Sequence, residues 1–202
     1  NVPDGYGQFI ILELRNFFRD NLLQIGPNLF ASTQSQLPMM IYSNALRAIS
    51  LELTRIFNDL RLLSSGPNTG LNEIILPDVQ PGSSIMPGKI NPSLLEMGHQ
   101  VMFKVIGNDN AIAMAMQAGQ LELNVIMPLM AHLSLESTEI MINAIRVIRE
   151  NCIKGIRANV SQCEKYAGLT SQVVTSLAPI VGYTKAAELI NESRREKISI
   201  ID

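Results

Sequence analysis

The sequence predicts an all-α protein: a bundle of long helices, followed by the beginning of a smaller helical domain. Three observations lead to this prediction. Apolar residues recur at helical spacing over long segments. Glycine and proline stand where these segments end. No segment has the convincing alternation of apolar and polar residues that a half-buried strand would show, and there are no internal repeats or low-complexity tracts.

The first half of the chain contains two predicted helices. Residues 7–24 place apolar side chains on one broad helical face and end at Ile25-Gly26-Pro27-Asn28, after which a connector is expected. Residues 36–65 are apolar around most of the helix circumference, which is typical of a helix inside a bundle. Gly66 and Pro67 end this helix, and residues 71–79 are expected to be irregular.

Two more long helices are predicted after residue 90. Asn91 is a good N-cap and Pro92 a good first helical residue, so a helix is expected from there to about Ala118. A further helix is predicted over residues 121–155, with a kink at Pro128. The methionines along these segments are expected to fill the core or an interface rather than to bind a metal or cofactor.

The character of the chain changes after residue 158. The helical segments become short, over residues 159–167, 171–177 and 183–196, and glycine and proline separate them. We therefore expect a helical-bundle domain over residues 1–158 and the beginning of a second domain over residues 159–202. Because the chain opens without Met and closes without a polar tail, it is also expected to be a fragment of a longer protein.

Composition excludes several classes of function. The net charge of −2 and the absence of Trp give no basis for binding nucleic acid or an anionic membrane. No apolar run reaches the roughly 18 residues that a membrane-spanning helix needs. A hydrophobic fraction of 47% with only 17% charged residues predicts extensive contacts between subunits. Cys152 and Cys163 are expected to be reduced thiols in a cytoplasmic protein.

The segment between the second and third long helices, residues 80–92, is the candidate functional element. It combines two glycines, three prolines, the adjacent hydroxyls of Ser83 and Ser84, and Lys89. Connections between helices usually need only about 2 to 8 residues, so a longer loop of this composition is more often functional. Lys89 and the N-terminus of the following helix favour an anion, and glycine hinges allow the loop to close over a carboxylate. The same field would lower the pKa of a serine that acts as a base.

Other chemical classes have weaker support. There is no Gly-x-Ser-x-Gly elbow and no His near the loop, which argues against a hydrolase triad, and the glycines do not match a nucleotide-binding fingerprint. No metal-ligand spacing is present, so no metal site is predicted. Four polar residues remain in apolar segments: Glu122 and Asn124 are expected to be structural rather than site residues, and His99 and His132 to be packed or surface histidines. Glu96 is either a site residue one turn beyond the loop or an ordinary residue that compensates the helix dipole.

The loop Gly82–Pro92 resembles the signature GSSxMPxKxNP of the fumarase/aspartase superfamily, and the match is complete over eleven residues. The resemblance extends to further segments, so that it covers nearly the whole chain: Asn58–Pro67, Val105–Asp109, Gly119–Val125 and Gly182-Tyr183. Two branches of the superfamily remain open, aspartate ammonia-lyases and class II fumarases. Leu62 stands where the fumarases typically have Trp, and Gln120-Leu121 where they tend to have His-Phe, so the ammonia-lyase branch is favoured.

The resemblance implies roles for the loop residues. Ser83 would be the general base that removes the Cβ proton of L-aspartate. Lys89, Asn91 and loop N–H groups would hold the enediolate-like carboxylate that results. Ser84 would also contact the substrate, and Glu96 matches a position that influences catalysis in fumarases. No cofactor or metal is implied.

The resemblance also implies an assembly. Members of the superfamily form homotetramers whose active sites combine three regions from different subunits, and this chain contains only the last of them. We therefore expect the isolated 202-residue chain to lack appreciable lyase activity. The competing hypothesis from another class is a structural or oligomerisation protein that keeps the fold without the activity. An intact Ser83, Lys89 and Asn91 argues against it, because packing gives no reason for this loop.

Overall fold

A computed structural model describes residues 2–170 and 173–196 of the chain. Within these residues the regular secondary structure is almost entirely helical, which confirms the all-α prediction. In chain order the helices are α1 (Tyr6–Phe18), α2 (Leu29–Gln34), α3 (Leu37–Leu63), α4 (Ser93–Gln117), α5 (Met127–Asn151), α6 (Val160–Leu169), α7 (Val173–Val181) and α8 (Tyr183–Glu196). Two short strands, β1 (Ile74–Ile75) and β2 (Arg157–Ala158), pair antiparallel, with Ile74 opposite Ala158. A single 3₁₀ turn, Ile153–Gly155, precedes β2.

The predicted helix over residues 36–65 is confirmed as α3, but the first helix is shorter than predicted. It ends at Phe18 rather than at residue 24, because Arg19 adopts a left-handed conformation (φ 53°) and its N–H bonds back to the carbonyl of Arg15. The expected connector contains the extra helix α2. Its N-cap is Asn28, whose side chain accepts a hydrogen bond from the N–H of Ala31 at 3.1 Å.

The boundaries of α4 and α5 also differ from the prediction. Helix α4 begins at Ser93, and the side-chain amide of Asn91, the expected N-cap, donates instead to the carbonyl of Gly82 at 3.3 Å. Helix α5 begins at Met127 rather than at residue 121, so the predicted kink at Pro128 is wrong. Pro128 is the second residue of α5, where a missing N–H breaks no helical hydrogen bond.

The short C-terminal segments are helical as predicted, with small shifts of their ends. Residues 171 and 172, the predicted start of the seventh helix, lie outside the described residues, as does the end of the chain beyond residue 196. The division into domains at residues 1–158 and 159–202 stays a prediction.

The chain divides into two compact units. The first consists of Asn1–Ser50 and Phe103–Ile140, and the second of Leu51–Met102 and Met141–Asp202. The core of the first unit lies between α4 and α5 and contains the buried residues Ile112, Ala115, Met130 and Leu133. Met116 and Met127 pack against it, as expected for methionines that fill a core; Met114, in contrast, is 67% exposed.

Buried polar groups connect the helices of the first unit. Asp109 on α4 is almost fully buried and accepts hydrogen bonds from Ser43 at 2.6 Å and from Arg47 at 3.3 Å, both on α3. The neighbouring Asn108 donates to Glu136 at 2.8 Å and to Ser137 at 3.0 Å on α5. Because a buried carboxylate or amide is costly without its partners, these bonds fix the relative register of the three helices.

The core of the second unit holds the helix that follows the candidate loop. Leu95 and His99 on α4, Phe57 on α3 and Ile148 on α5 are buried there. Gly98 is the point of closest approach, since an added Cβ would lie 2.7 Å from the ring of Phe57 and 2.8 Å from Ile148. The first turns of α4, which follow the loop directly, are therefore held by close packing against two other helices of this unit.

Candidate functional site

The segment that leads into the candidate loop is anchored at several points of the second unit. Ser65, just after α3, accepts the N–H of Asn72 at its carbonyl at 2.7 Å, and its hydroxyl accepts the N–H of Leu71 at 3.1 Å. Strand β1 then pairs with β2, and Pro77 packs so tightly on Gly155 that a Cβ on this glycine would lie 2.4 Å from the proline ring. The chain therefore enters the loop at residue 78 from a fixed position.

Three hydrogen bonds close the loop upon itself. The N–H of Gly82 donates to the carbonyl of Lys89 at 2.7 Å, and the amide of Asn91 donates to the carbonyl of Gly82 at 3.3 Å. Within the turn, the N–H of Lys89 donates to the carbonyl of Met86 at 3.3 Å. Gly88 has a φ of +78°, which favours glycine at this position. The base of the loop is thus a narrow neck that joins Gly82 to Lys89 and Asn91.

The hydroxyl oxygen of Ser83 lies just inside this neck and accepts two backbone hydrogen bonds. The N–H of Ile85 donates to it at 3.1 Å and the N–H of Met86 at 3.2 Å. Serine makes such bonds in ordinary turns as well, so they also help to shape the loop. Chemically, two N–H donors aimed at one oxygen stabilise negative charge on it, which is what a serine alkoxide requires. Ser84 next to it is exposed.

The predicted site residues are distributed over two cavities of the second unit. Ser83 and Lys89 line one of about 430 Å³, together with Asp78 and Met86. Lys89 and Asn91 line the other, of about 440 Å³, which β1, the residues after α3 and the start of α4 enclose. The loop therefore brings Ser83 to a common cavity with Lys89, and Lys89 to a common cavity with Asn91.

Ser84 and Glu96 line neither of these two cavities. Glu96, in the first turn of α4, faces Arg61 near the end of α3, and their charged groups are 3.5 Å apart. Both side chains are 40% exposed, so this ion pair is worth at most about 1 kcal/mol. Its structural effect is to connect the helix that follows the loop to the helix that precedes it.

Cys152 at the end of α5 borders the larger cavity. It is almost fully buried, and this burial raises the pKa of its thiol. A thiol with a raised pKa carries little thiolate at neutral pH and is a poor nucleophile. Cys152 therefore lines the cavity without being a second reactive group.

The remaining polar candidates have structural positions. Asn124 is fully buried and bridges α4 and α5: its amide donates to the carbonyls of Ala115 at 3.0 Å and Met116 at 3.3 Å, and its oxygen accepts the N–H of Ile126 at 2.8 Å. The prediction of a structural role is confirmed for Asn124, while Glu122 is exposed.

The two histidines lie where packed and surface histidines were predicted. His99 is buried with its ring against Phe57, and its ring nitrogens lie 3.0 Å from the carbonyl of Leu95 and 3.2 Å from that of Thr54. His132 is exposed on α5. Among the residues that the structure describes, no group of three or more His, Cys, Asp or Glu side chains could hold a metal ion. In the same residues, no helix is long and apolar enough to cross a membrane.

Comparisons with known proteins agree with this architecture. The protein family described as Lyase matches residues 1–107. Aspartate ammonia-lyase from Helicobacter pylori is 46% identical over 175 residues, which cover 87% of this chain and 37% of that protein. Class II fumarate hydratase from Mycobacterium tuberculosis is 42% identical over 200 residues, which cover 99% of this chain and 42% of that protein. The chain belongs to the fumarase/aspartase superfamily of lyases.

The superfamily fold is also found in the solved structures. The crystal structure of fumarate lyase:delta crystallin from Brucella melitensis superimposes with a TM-score of 0.92 at 41% identity, over 97% of this chain and 45% of that chain. This likeness confirms the predicted long-helix bundle of the superfamily. The chain spans only 37–43% of the length of the aspartate ammonia-lyases and fumarate hydratases compared with it.

Two residues near the loop were not predicted from the sequence. Asp78 lines both cavities, and Arg61 is the partner of Glu96. A signal for Asp78 exists, since it is the only acidic residue between Glu73 and Glu96 and stands just before the loop. No local pattern could have paired Arg61 with Glu96, because 35 positions separate them and only the helix packing brings them together.

Proposed function

We propose that the full-length protein containing this chain is an aspartate ammonia-lyase. The reaction converts L-aspartate into fumarate and ammonium. A base removes a proton from Cβ, the electrons of that C–H bond form the Cα–Cβ double bond by way of an enediolate-like intermediate, and the C–N electron pair leaves with ammonia. The ammonia then takes up the proton that the base releases, so the base returns to its starting form.

The observation that carries this proposal is the environment of Ser83. Its hydroxyl oxygen accepts the N–H groups of Ile85 and Met86, and it lines the same cavity as the ammonium of Lys89. Two backbone donors and a nearby cation lower the cost of an alkoxide, which lets a serine act as a base without a histidine beside it. We assign the role of general base to Ser83.

The other loop residues have supporting roles in the proposal. Lys89 and Asn91 hold the substrate carboxylate that gains charge as the proton leaves, which lowers the barrier more than it strengthens substrate binding. Ser84 is exposed and free to contact the substrate from the outer side of the loop. Glu96 has a positioning role, because its ion pair with Arg61 holds α4, the helix that follows Asn91. The reaction needs no cofactor.

The choice of L-aspartate over L-malate rests on the sequence. Leu62, Gln120 and Leu121 replace residues that are typical of class II fumarases, and aspartate ammonia-lyases are among the relatives with 44–46% identity. The fumarase alternative is favoured by a different observation, the 42% identity to the mycobacterial fumarate hydratase along 99% of this chain. A catalytically silent structural protein is the third alternative.

Oligomerisation completes the proposed site. In a single chain, α1 has no buried residue, and several large apolar residues of α3 are exposed, among them Ile41, Leu51 and Leu62. Apolar area of this extent marks protein contacts. We propose a homotetramer in the cytoplasm, without nucleic-acid or membrane partners, in which the site on this loop is completed by other regions of the full-length protein. The isolated 202-residue chain is expected to be inactive.

The test is an activity assay of the full-length protein with L-aspartate and, separately, with L-malate, in which the absorbance of fumarate is followed. We expect turnover of L-aspartate, and turnover of L-malate alone would favour the fumarase alternative. In the Ser83→Ala variant activity should fall by about 10³-fold, as general-base catalysis usually contributes 10²- to 10⁴-fold.

Two variants control for the loss of a hydroxyl. Ser84→Ala should raise KM and keep most of kcat, and Ser161→Ala, on the exposed start of α6, should change neither. If Ser83→Ala kept near-normal kcat while the assembly persisted, Ser83 would not be the base. Absence of activity with both substrates would support the silent structural protein instead.

A further inference from the structure

Among the described residues that line the cavity containing Ser83, only Asp78 and Lys89 are charged. The rest of this lining is apolar, Gly or Pro, apart from Gln80 and Ser83 themselves. None of the ion pairs in the described part of the chain uses either charge. The cavity thus offers a ligand one carboxylate and one ammonium group whose charges no described side chain neutralises.

The two charges come from parts of the chain that are held differently. Asp78 directly follows Pro77, which is packed on Gly155, so its backbone is anchored to the second unit. Lys89 belongs to the loop itself, on the side of the hydrogen-bonded neck opposite Gly82. A ligand that bridges the two must carry a cationic and an anionic group, and contact with both draws the loop toward the anchored segment.

This pair of charges discriminates between the possible substrates. An α-amino dicarboxylate such as L-aspartate offers an ammonium group to Asp78 and a carboxylate to Lys89. A dicarboxylate without an amine, such as L-malate or fumarate, gains the same contact with Lys89 but meets repulsion from Asp78. The repulsion is a penalty against the wrong ligand, and specificity commonly depends on such penalties.

We propose that Asp78 binds the ammonium group of the substrate and so determines the preference for an amino acid. This inference rests on the proposed function, since it names the group that selects the substrate of the same site. The ammonium loses its positive charge as ammonia departs, so Asp78 stabilises the bound substrate more than the transition state of C–N cleavage. Its loss should therefore affect KM more than kcat.

The experiment compares two ligands that differ only in the amine, L-aspartate and succinate. Their dissociation constants are measured by calorimetry on the full-length protein in a Ser83→Ala background, so that L-aspartate is not consumed. We expect Asp78→Asn to weaken the binding of L-aspartate and to strengthen the binding of succinate. The ratio of the two dissociation constants, which expresses the preference for L-aspartate, should fall about five- to tenfold, a modest change because Asp78 is exposed.

Three controls isolate the charge of Asp78. Asp78→Glu keeps the carboxylate and should retain most of the preference. Asp4→Asn removes an exposed carboxylate from the first unit and should leave both constants unchanged. Circular dichroism and the oligomeric state verify that each variant folds, and if Asp78→Asn fails to fold, Asp78→Ser serves in its place.

The outcomes separate this inference from the proposed function. Suppose that the parent protein deaminates L-aspartate, but that Asp78→Asn weakens the binding of L-aspartate and succinate equally or not at all. The role of Asp78 is then refuted, and the proposed function stands. If the unsubstituted protein turns over only L-malate, the proposed function fails; an unaltered ligand preference in Asp78→Asn would then refute the inference separately. Opposite changes for the two ligands support the inference, because a purely structural defect would weaken both.

Discussion

Replacement of Gly82 by Ala is expected to abolish most activity while leaving the stability of the protein nearly unchanged. Gly82 lies in the neck of the loop, where its N–H donates to the carbonyl of Lys89 at 2.7 Å. A Cβ on Gly82 would lie 2.7 Å from that same carbonyl oxygen, 3.0 Å from the backbone nitrogen of Asn91 and 3.1 Å from its side-chain carbon. Two of these three atoms belong to the backbone and cannot rotate away.

The size of the effect follows from these distances. Ordinary contacts of a Cβ begin at 3.4 Å, so the two sides of the neck must separate by about 0.7 Å. Both hydrogen bonds that join Gly82 to the far side are then stretched or lost, and Ser83, the next residue, moves with them. Misplacement of a catalytic group by about 1 Å can cost about 10²-fold in rate, so we expect kcat/KM to fall by about 10².

Stability should respond much less than activity. Most of the loop is exposed and buries little apolar area, so opening its neck removes only two hydrogen bonds, each worth about 1 kcal/mol or less at an exposed position. Gly107→Ala is the matched control, because Gly107 lies in α4 and an added Cβ meets nothing within 4 Å. This control should keep full activity and gain up to about 1 kcal/mol from the higher helix propensity of alanine.

The assay is the rate of fumarate production together with thermal unfolding, measured on the full-length protein and both glycine variants. The expected pattern is a large loss of rate with a small change in Tm for Gly82→Ala, and an unchanged rate with an equal or slightly higher Tm for Gly107→Ala. Equal rates for Gly82→Ala and the parent would refute the assignment of the neck as the element that positions Ser83. A large fall in Tm would instead show that the loop contributes to the core.

Two further predictions concern the framework of the first unit. Asn124→Ala removes three buried hydrogen bonds and should lower the free energy of unfolding by about 2–4 kcal/mol in denaturant titrations. The control Glu122→Ala, at an exposed position, should change this free energy by less than about 0.5 kcal/mol. Equal effects of the two substitutions would contradict the bridging role of Asn124. A hydrogen bond from Asn108 and, to a smaller degree, one from Lys104 lower the pKa of Glu136 below its ordinary 4.5. The ionised Glu136 therefore contributes its full stabilisation above pH 4.5, and this stabilisation is lost as the pH falls through the lowered pKa. Glu136→Gln should therefore reduce the loss of Tm between pH 5 and 3, and Glu139→Gln, at an exposed position of the same helix, should leave it as in the parent.

The long helices were predictable because their signal is distributed. Helix α3 has apolar residues along its entire length, so no single position decides its existence. The boundaries were less predictable, since each depends on one local contact. The left-handed turn at Arg19 ends α1 six residues early. The side chain of Asn91, which was expected to cap α4 by accepting a bond at its oxygen, is held instead by the bond that its amide N–H donates to the carbonyl of Gly82, nine positions away. Such competition between partners cannot be read from local propensity.

The candidate site was predictable in part for a similar reason. Ser83, Lys89 and Asn91 lie within one loop, so their proximity follows from the sequence itself. The bonds from Ile85 and Met86 to the serine oxygen depend on the conformation of the turn, which composition does not specify. The position of Asp78 depends on more distant structure still, because strand pairing and the packing of Pro77 on Gly155 bring it to the cavity. Electrostatic partners from outside the motif are therefore the part of the site that sequence reasoning misses.

The exposed side chains at the tip of the loop indicate how the site would be completed. Ile85 is 86% exposed and Met86 is 50% exposed, although the N–H groups of both donate to the hydroxyl oxygen of Ser83. Burial of such a side chain is worth about 1.5–3 kcal/mol, which would offset the loss of loop entropy on closure. Closure against apolar groups from elsewhere in the full-length assembly would thus exclude water from the cavity and strengthen the field of Lys89 at Ser83. Ser83, the proposed base, is therefore expected to reach full strength only when the tip of the loop is covered. This would link proton abstraction to assembly, in keeping with the prediction that the isolated chain is inactive.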